Sequence, residues 1–165
     1  MNFKSIDDIH AGGFDGFVEI SDLQKSNCSE VPDERGVYLV LRPNRTGPKF
    51  LERSTGGRFK GKDPKVEASK LEGNWVEGTV VLYIGVGGLR AATTLRSRLR
   101  LYMQFGRGMP AAHKGGRFIW QLHNSSELLL CWKVTPRGDP GKEESRLMQE
   151  FEAVYGKLPF ANLRR

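Results

Sequence analysis

The sequence predicts an α+β domain with a small central antiparallel sheet of about three strands, flanked by helices, and a long basic insertion between the first two strands. Three observations lead there. Short apolar runs rich in β-branched residues occupy 36–42, 80–85 and 128–135, each set off by turn residues. Two segments, one from Thr93 or Thr94 up to Gly106 and one from Asp139 up to Gly156, carry apolar residues at helical spacing behind recognisable caps. The first two runs are apolar on both faces, as a covered sheet requires. At 165 residues and 18.5 kDa the chain has room for one domain with its own core. We divide it into a lead-in, 1–34, packed on that core, and a main domain, 35–165, that contains the insertion 43–78.

In the lead-in, Phe14, Phe17, Val18, Ile20 and Leu23 are mixed with Asp, Ser and Gly, and the stretch SDLQ predicts a short helix capped by Ser21. Alternation along 36–42 puts Val37, Leu39 and Leu41 on one face and Tyr38, Val40 and Arg42 on the other. A tyrosine buried in such a strand needs a partner for its hydroxyl. The insertion has turn signals at Thr46-Gly47-Pro48, Gly56-Gly57 and Asp63-Pro64. Its cations Arg45, Lys49, Arg53, Arg58, Lys60, Lys62 and Lys65, interleaved with Phe50 and Phe59, suit either a flap over a nucleic-acid strand or a solvated excursion.

In the second strand, alternation places Tyr83 on a face with Val81 and Gly85. The helix that follows is capped by Thr93 or Thr94, carries Leu95, Leu99 and Tyr102 on its apolar side, and stops at Gly106. Arg98 and Tyr102, four residues apart, are neighbours on it. After a basic, Gly- and Pro-broken loop, Phe118, Ile119 and Leu122 fit one helical turn. The last helix begins at Asp139 with Pro140 in its first turn, carries Glu143 and Glu144 there, and ends at Gly156. Its predicted apolar face is Leu147, Met148, Phe151, Val154 and Tyr155, with Glu150 and Glu152 on opposite borders. Periodicity does not choose between those two carboxylates.

Composition narrows the partners. A content of 38% hydrophobic and 27% charged residues, with no long apolar run and no signal-like start, predicts a soluble protein that meets no membrane, with cytoplasm as the default compartment. Cys28 and Cys131 lie far apart, so both are expected to be ordinary thiols, with one of them buried; His10, His113 and His123 form no ligand cluster for zinc. A net charge of +7 and a pI of about 9.6 favour a polyanion, because cations on the protein release counterions from it. Nucleic acid is the leading partner.

The order of these pieces resembles the GIY-YIG endonuclease superfamily over 32–162. Gly36-Val37-Tyr38 stands for the first motif and Tyr83-Ile84-Gly85 matches the second. Leu95-Arg96-Ser97-Arg98 resembles the L-R-x-R signature and singles out Arg98. The stretch EFEAVYGKLPFAN resembles the C-terminal motif, in which a proline follows the glutamate by nine and an asparagine by twelve; Pro159 and Asn162 then select Glu150. Val86 departs from a lysine frequent in the family, and Tyr102 from a histidine found in some restriction-type members.

The resemblance implies a metal-dependent endonuclease that hydrolyses phosphodiester bonds, acting on DNA before RNA. Glu150 would hold Mg²⁺ or Mn²⁺, and Arg98 would fork onto the scissile phosphate. Tyr38 would accept the proton of the attacking water, with Tyr83 or Tyr102 positioning it; that role requires the Tyr38 phenol to titrate far below a free tyrosine. Asn162 would brace the site, while Gly36 and Gly85 would allow close backbone approach. Arg58, Lys60, Lys62, Arg96, Arg100, Arg107, Lys114 and Arg117 are the expected nucleic-acid contacts. The alternative is a nucleic-acid-binding module with the same fold and little or no catalysis. A small-molecule phosphate site fits poorly, because Gly85-Val86-Gly87-Gly88 lacks the P-loop pattern.

Overall fold

The apolar run of the first motif is buried along its whole length, and the sheet is built on both its edges. In the computed structural model, residues 1–163 are described except 45, 59, 91 and 112–115. The described residues form strands β1 (Asp15–Glu19), β2 (Gly36–Leu41), β3 (Val81–Gly87) and β4 (Leu129–Val134) in one antiparallel sheet ordered β1-β4-β2-β3. The helices are α1 (Ile6–Ala11), α2 (Ile20–Ser26), α3 (Ala68–Asn74), α4 (Leu95–Gly106) and α5 (Pro140–Tyr155).

The fold class is α+β, with four strands among the described residues where the pattern predicts three. The extra strand, β1, comes from the lead-in and pairs with β4. Its register shifts between Asp15 and Val18, and Gly16 and Phe17 both take positive φ, +99° and +56°. A side chain at Gly16 would meet the Trp132 ring at 2.6 Å, so the indole lies where that side chain would be. An irregular strand of this kind has no period-2 signal to read.

The sheet separates two apolar layers. Tyr38, Val40, Leu82 and Tyr83 face α2, α4 and a 3-10 helix at Arg117–Gln121. Val37, Leu39, Val81, Ile84 and Cys131 face α5, Phe3 and Ile9. Pairing shifts between Val40 and Leu41, which are opposite Tyr83 and Val81. Leu82 and Tyr83 therefore both enter the α4 layer, and Tyr83 does not share the face of Val81 that simple alternation predicts.

Local chemistry fixes the helix ends. Thr94 caps α4 in a reciprocal box with Ser97. Asp139 caps α5 ahead of Pro140, and Gly156 closes it at φ +72°. Residue Ser21 is not a cap: α2 starts at Ile20 behind Glu19. Val154 is exposed, so the face that α5 buries is Leu147, Met148 and Phe151. Both cysteines are buried, not one, and burial pushes the Cys28 thiol up to about 11.

Over its described part the insertion 43–78 is anchored on the core and is not a solvated excursion. It contains α3 and is hydrogen bonded to the 3-10 helix, Leu51 N to Gln121 O at 2.8 Å and Thr55 N to Trp120 O at 2.9 Å. The buried Gln121 amide accepts from Val66 N and donates to Leu51 O and Val66 O, at 2.9, 3.0 and 2.8 Å. Trp75 packs edge-on against Phe50 and Phe160. Arg45 and Phe59 lie outside the described residues.

Candidate active site

Antiparallel pairing of β2 with β3 sets Tyr38 opposite Gly85. A side chain at Gly85 would lie 2.4 Å from Tyr38 Cζ, so the glycine is where the phenol ring crosses the strand. Gly36 is equally constrained, since a side chain there would meet Lys133 O at 2.2 Å. The three tyrosines singled out by the sequence come together: ring centroids are 5.9 Å apart for Tyr38 and Tyr83, 6.1 Å for Tyr83 and Tyr102, and 6.4 Å for Tyr38 and Tyr102. Tyr102 Oη donates to Gly116 O at 3.0 Å. The Tyr38 hydroxyl lies within reach of that of Tyr83 without the geometry of a full hydrogen bond, and it has no partner among the described residues. A buried hydroxyl left in that state marks a place for water or substrate.

Arg98, on the turn of α4 before Tyr102, is half-buried, and its guanidinium makes no hydrogen bond or ion pair among the described residues. Its charge acts on all three tyrosines and on Glu144. Burial nevertheless dominates the phenols. Tyr38 and Tyr102 are held well above the ordinary tyrosine value, and Tyr83 is pushed up to about 12, with Arg98 offsetting part of the shift. This corrects the expectation of a Tyr38 phenolate. At neutral pH the phenols keep their protons and can orient water as hydrogen-bonding groups.

Glu144, which the sequence patterns did not single out, is a carboxylate whose charge acts on this cluster. It stands three and four residues before Leu147 and Met148 and seven before Phe151, so it continues the buried face of α5 toward the helix start. That spacing was the available signal. Desolvation by burial pushes its carboxyl up to about 7 against the lowering effect of Arg98, and its charge reaches Tyr38 and Tyr83. It has no hydrogen bond or ion pair among the described residues, and it lines an open groove of about 530 Å³ with Leu89, Asp139, Lys142, Ser145, Arg146 and Gln149.

Glu150, by contrast, is already paired. It accepts from the Met1 ammonium at 2.6 Å and from Arg146, and these cations hold its carboxyl below the usual range. It lies six positions after Glu144, which turns the two carboxylates to different sides of α5. On Glu150's side runs a chain of ion pairs from Lys133 through Glu143 to Arg146. Asn162 sits beside β3: its Oδ1 accepts from Ile84 N at 2.9 Å and its Nδ2 donates to Ile84 O at 2.8 Å. It thus satisfies the exposed edge of the strand that bears Tyr83.

Three of the expected nucleic-acid contacts serve the fold. Arg96 Nε donates to Val31 O at 2.7 Å, Arg100 Nε to Asn27 O at 2.9 Å, and Arg107 Nη2 to Gln24 O. They tie α4 to the carbonyl-rich end of α2 and the loop after it, where cations are favourable. Arg58 pairs with Asp63 at 3.3 Å, and Lys60 and Lys62 are exposed on the insertion. The Arg117 guanidinium lies 5.8 Å over the Phe118 ring, and its buried Nε has no partner among the described residues. Lys114 and His113 lie outside the described residues. Among those described, no three His, Cys, Asp or Glu side chains gather to hold a metal ion by themselves, and no helix is long and apolar enough to cross a membrane. Compared with protein-family models, curated proteins and solved structures, the chain matches none.

Proposed function

We propose that this chain is a metal-dependent endonuclease that hydrolyses phosphodiester bonds of DNA, with Glu144 in the role the sequence motif gave to Glu150. One observation carries the reading: the charges of an arginine and a glutamate, both without hydrogen-bond or ion-pair partners among the described residues, act on a buried tyrosine cluster, and the glutamate lines an open groove. Unpaired charges in partly buried positions cost stability, and they persist where a ligand of complementary charge completes them.

The donor set suits a hard divalent cation. A single carboxylate at the rim of a roomy groove leaves the other positions for water and phosphate oxygens, as Mg²⁺ prefers. When bound, Mg²⁺ or Mn²⁺ supplies neutralisation of phosphoryl charge and acidifies a coordinated water. Glu144, whose carboxyl is pushed up to about 7, would hold the cation in its deprotonated form. Arg98, always charged, binds the phosphoryl oxygens as negative charge grows on them. The protonated Tyr38 and Tyr83 hydroxyls orient the attacking water, and Gly85 keeps the Tyr38 ring seated.

The test is cleavage of supercoiled plasmid and of a labelled single strand with Mg²⁺, with Mn²⁺ and with EDTA, beside Arg98→Met. Metal-dependent cutting that EDTA and Arg98→Met abolish is the expected result. Salt-sensitive binding without cutting under any condition points instead to the catalytically silent binding module. A salt-insensitive association sinks both readings, since each neutralised phosphate contributes a log-log slope of about −0.9 on B-DNA.

A further inference from the structure

The loop between β3 and α4 holds one apolar side chain out in solvent. Leu89 is 60% exposed, the most exposed of the large apolar residues among those described. Exposure alone says little, since single apolar residues are common on protein surfaces. What distinguishes Leu89 is how it is held and where it stands. Arg35 lies across Gly88, where a side chain would meet Arg35 Cγ at 2.6 Å, and Arg35 Nε donates to Gly88 O at 3.0 Å. On the other side, Arg90 N donates to Thr93 Oγ1 at 3.3 Å, while Thr93 N and Thr93 Oγ1 donate to Arg90 O at 2.9 and 3.0 Å. Both neighbours of Leu89 are thus tied down, and the leucine is presented at a fixed tip.

That tip lies on the groove that holds Glu144. Leu89 Cδ2 is 3.0 Å from where a side chain on Gly141 would begin, so the leucine stands against the first turn of α5, about 4.5 Å along the axis from Glu144. The nearby cations Arg90 and Lys142 are exposed, and neither side chain has a hydrogen bond or ion pair among the described residues. The other charges on the groove are engaged: Asp139 caps α5, and Arg146 is paired with Glu143 and Glu150. A fixed apolar tip between unpaired cations suits a nucleic acid, whose phosphates take the cations and whose bases meet the leucine. One leucine buries too little surface to offset the opening of an intact base stack. It enters where pairing is already broken, because unstacking costs least there.

We propose that Leu89 is a wedge that enters the base stack at a mismatched pair, so that the preferred substrate of this site is a mismatched duplex. The inference rests on the nuclease reading of the groove and adds to it a substrate class and the residue that selects it. Arg90 and Lys142 take phosphates beside the wedge, which fixes the register of the duplex on the groove.

The test is made in EDTA, so that binding is read without cutting. A matched duplex and the same duplex with one mismatch, each carrying 2-aminopurine next to the variable pair, are titrated with wild type, Leu89→Ala and Leu89→Met. The fluorescence of 2-aminopurine rises when it is unstacked. Wild type is expected to bind the mismatched duplex about tenfold or more tightly, with a rise in fluorescence. Leu89→Ala loses both the preference and the rise, and Leu89→Met, which conserves volume, keeps both. Equal binding of the two duplexes by wild type, or a preference and rise unchanged in Leu89→Ala, overturns the wedge and leaves the nuclease reading standing. No salt-sensitive binding of either duplex overturns the nuclease reading, and the wedge falls with it. Leu89 is exposed, so both variants are expected to fold; a thermal melt run alongside checks that.

Discussion

Replacing Gly85 by alanine puts a methyl group 2.4 Å from Tyr38 Cζ, 2.6 Å from its Oη and 2.8 Å from Cε1. Carbon atoms pack best at about 3.5–4.0 Å, so the ring has to move by roughly an ångström. It has little room to do so. Tyr38 is fully buried, with the Tyr83 and Tyr102 rings at 5.9 and 6.4 Å, and the methyl comes from strand backbone paired to β2. Overpacking of this kind costs about 1–3 kcal/mol. With a urea m-value of about 2 kcal/mol/M, the midpoint of denaturation falls by about 0.5–1.5 M. Gly73→Ala is the control, because its side chain would meet nothing within 4 Å and it lies inside α3. That change should raise stability by about 0.5–1 kcal/mol. A midpoint for Gly85→Ala equal to that of wild type would refute the claim that Tyr38 is seated through this glycine.

Glu144→Gln should stabilise the protein at high pH. The folded carboxyl titrates at about 7 and the unfolded one near 4.5, so the folded state holds a proton that the unfolded state releases in that window, and wild type loses stability as pH rises through it. The variant lacks this loss and should be about 1 kcal/mol more stable at pH 8, allowing for solvent screening, and equal to wild type at pH 4; thermal melts across that range test it, and parallel curves contradict it. Gln121→Leu leaves Val66 N, Val66 O and Leu51 O without partners and should cost about 3 kcal/mol, with urea denaturation and faster proteolysis within 43–78 as the readouts. Asn162→Ala removes both hydrogen bonds to Ile84 at the edge of β3 and should cost about 2 kcal/mol, measured by the same denaturation.

The elements whose local chemistry agrees with their final environment were legible in the sequence. The buried β2 run, the Thr94 cap and the Asp139-Pro140 start each announce themselves within a few residues. Tyr38, Tyr83 and Tyr102, singled out by the motifs, do lie together, and the Arg98 charge acts on all three. What escaped depends on contacts distant in the chain. The strand β1 is defined by its pairing to Trp132 and Leu130, over a hundred residues away, and not by its own pattern. Arg96 and Arg100 look like surface cations until α2 presents its carbonyls to them. The choice between Glu144 and Glu150 needs the roll of α5 about its axis, which the Met1 ammonium, Arg146 and the buried Leu147 and Phe151 report together.

That choice is also the most direct test of the account. Purified wild type, Glu144→Gln and Glu150→Gln are each incubated with supercoiled plasmid and Mg²⁺, and nicked product is followed with time. Cutting abolished in Glu144→Gln and kept in Glu150→Gln is the predicted result. Cutting kept in Glu144→Gln and abolished in Glu150→Gln, with both variants folded, contradicts the site built around Arg98 and the tyrosines.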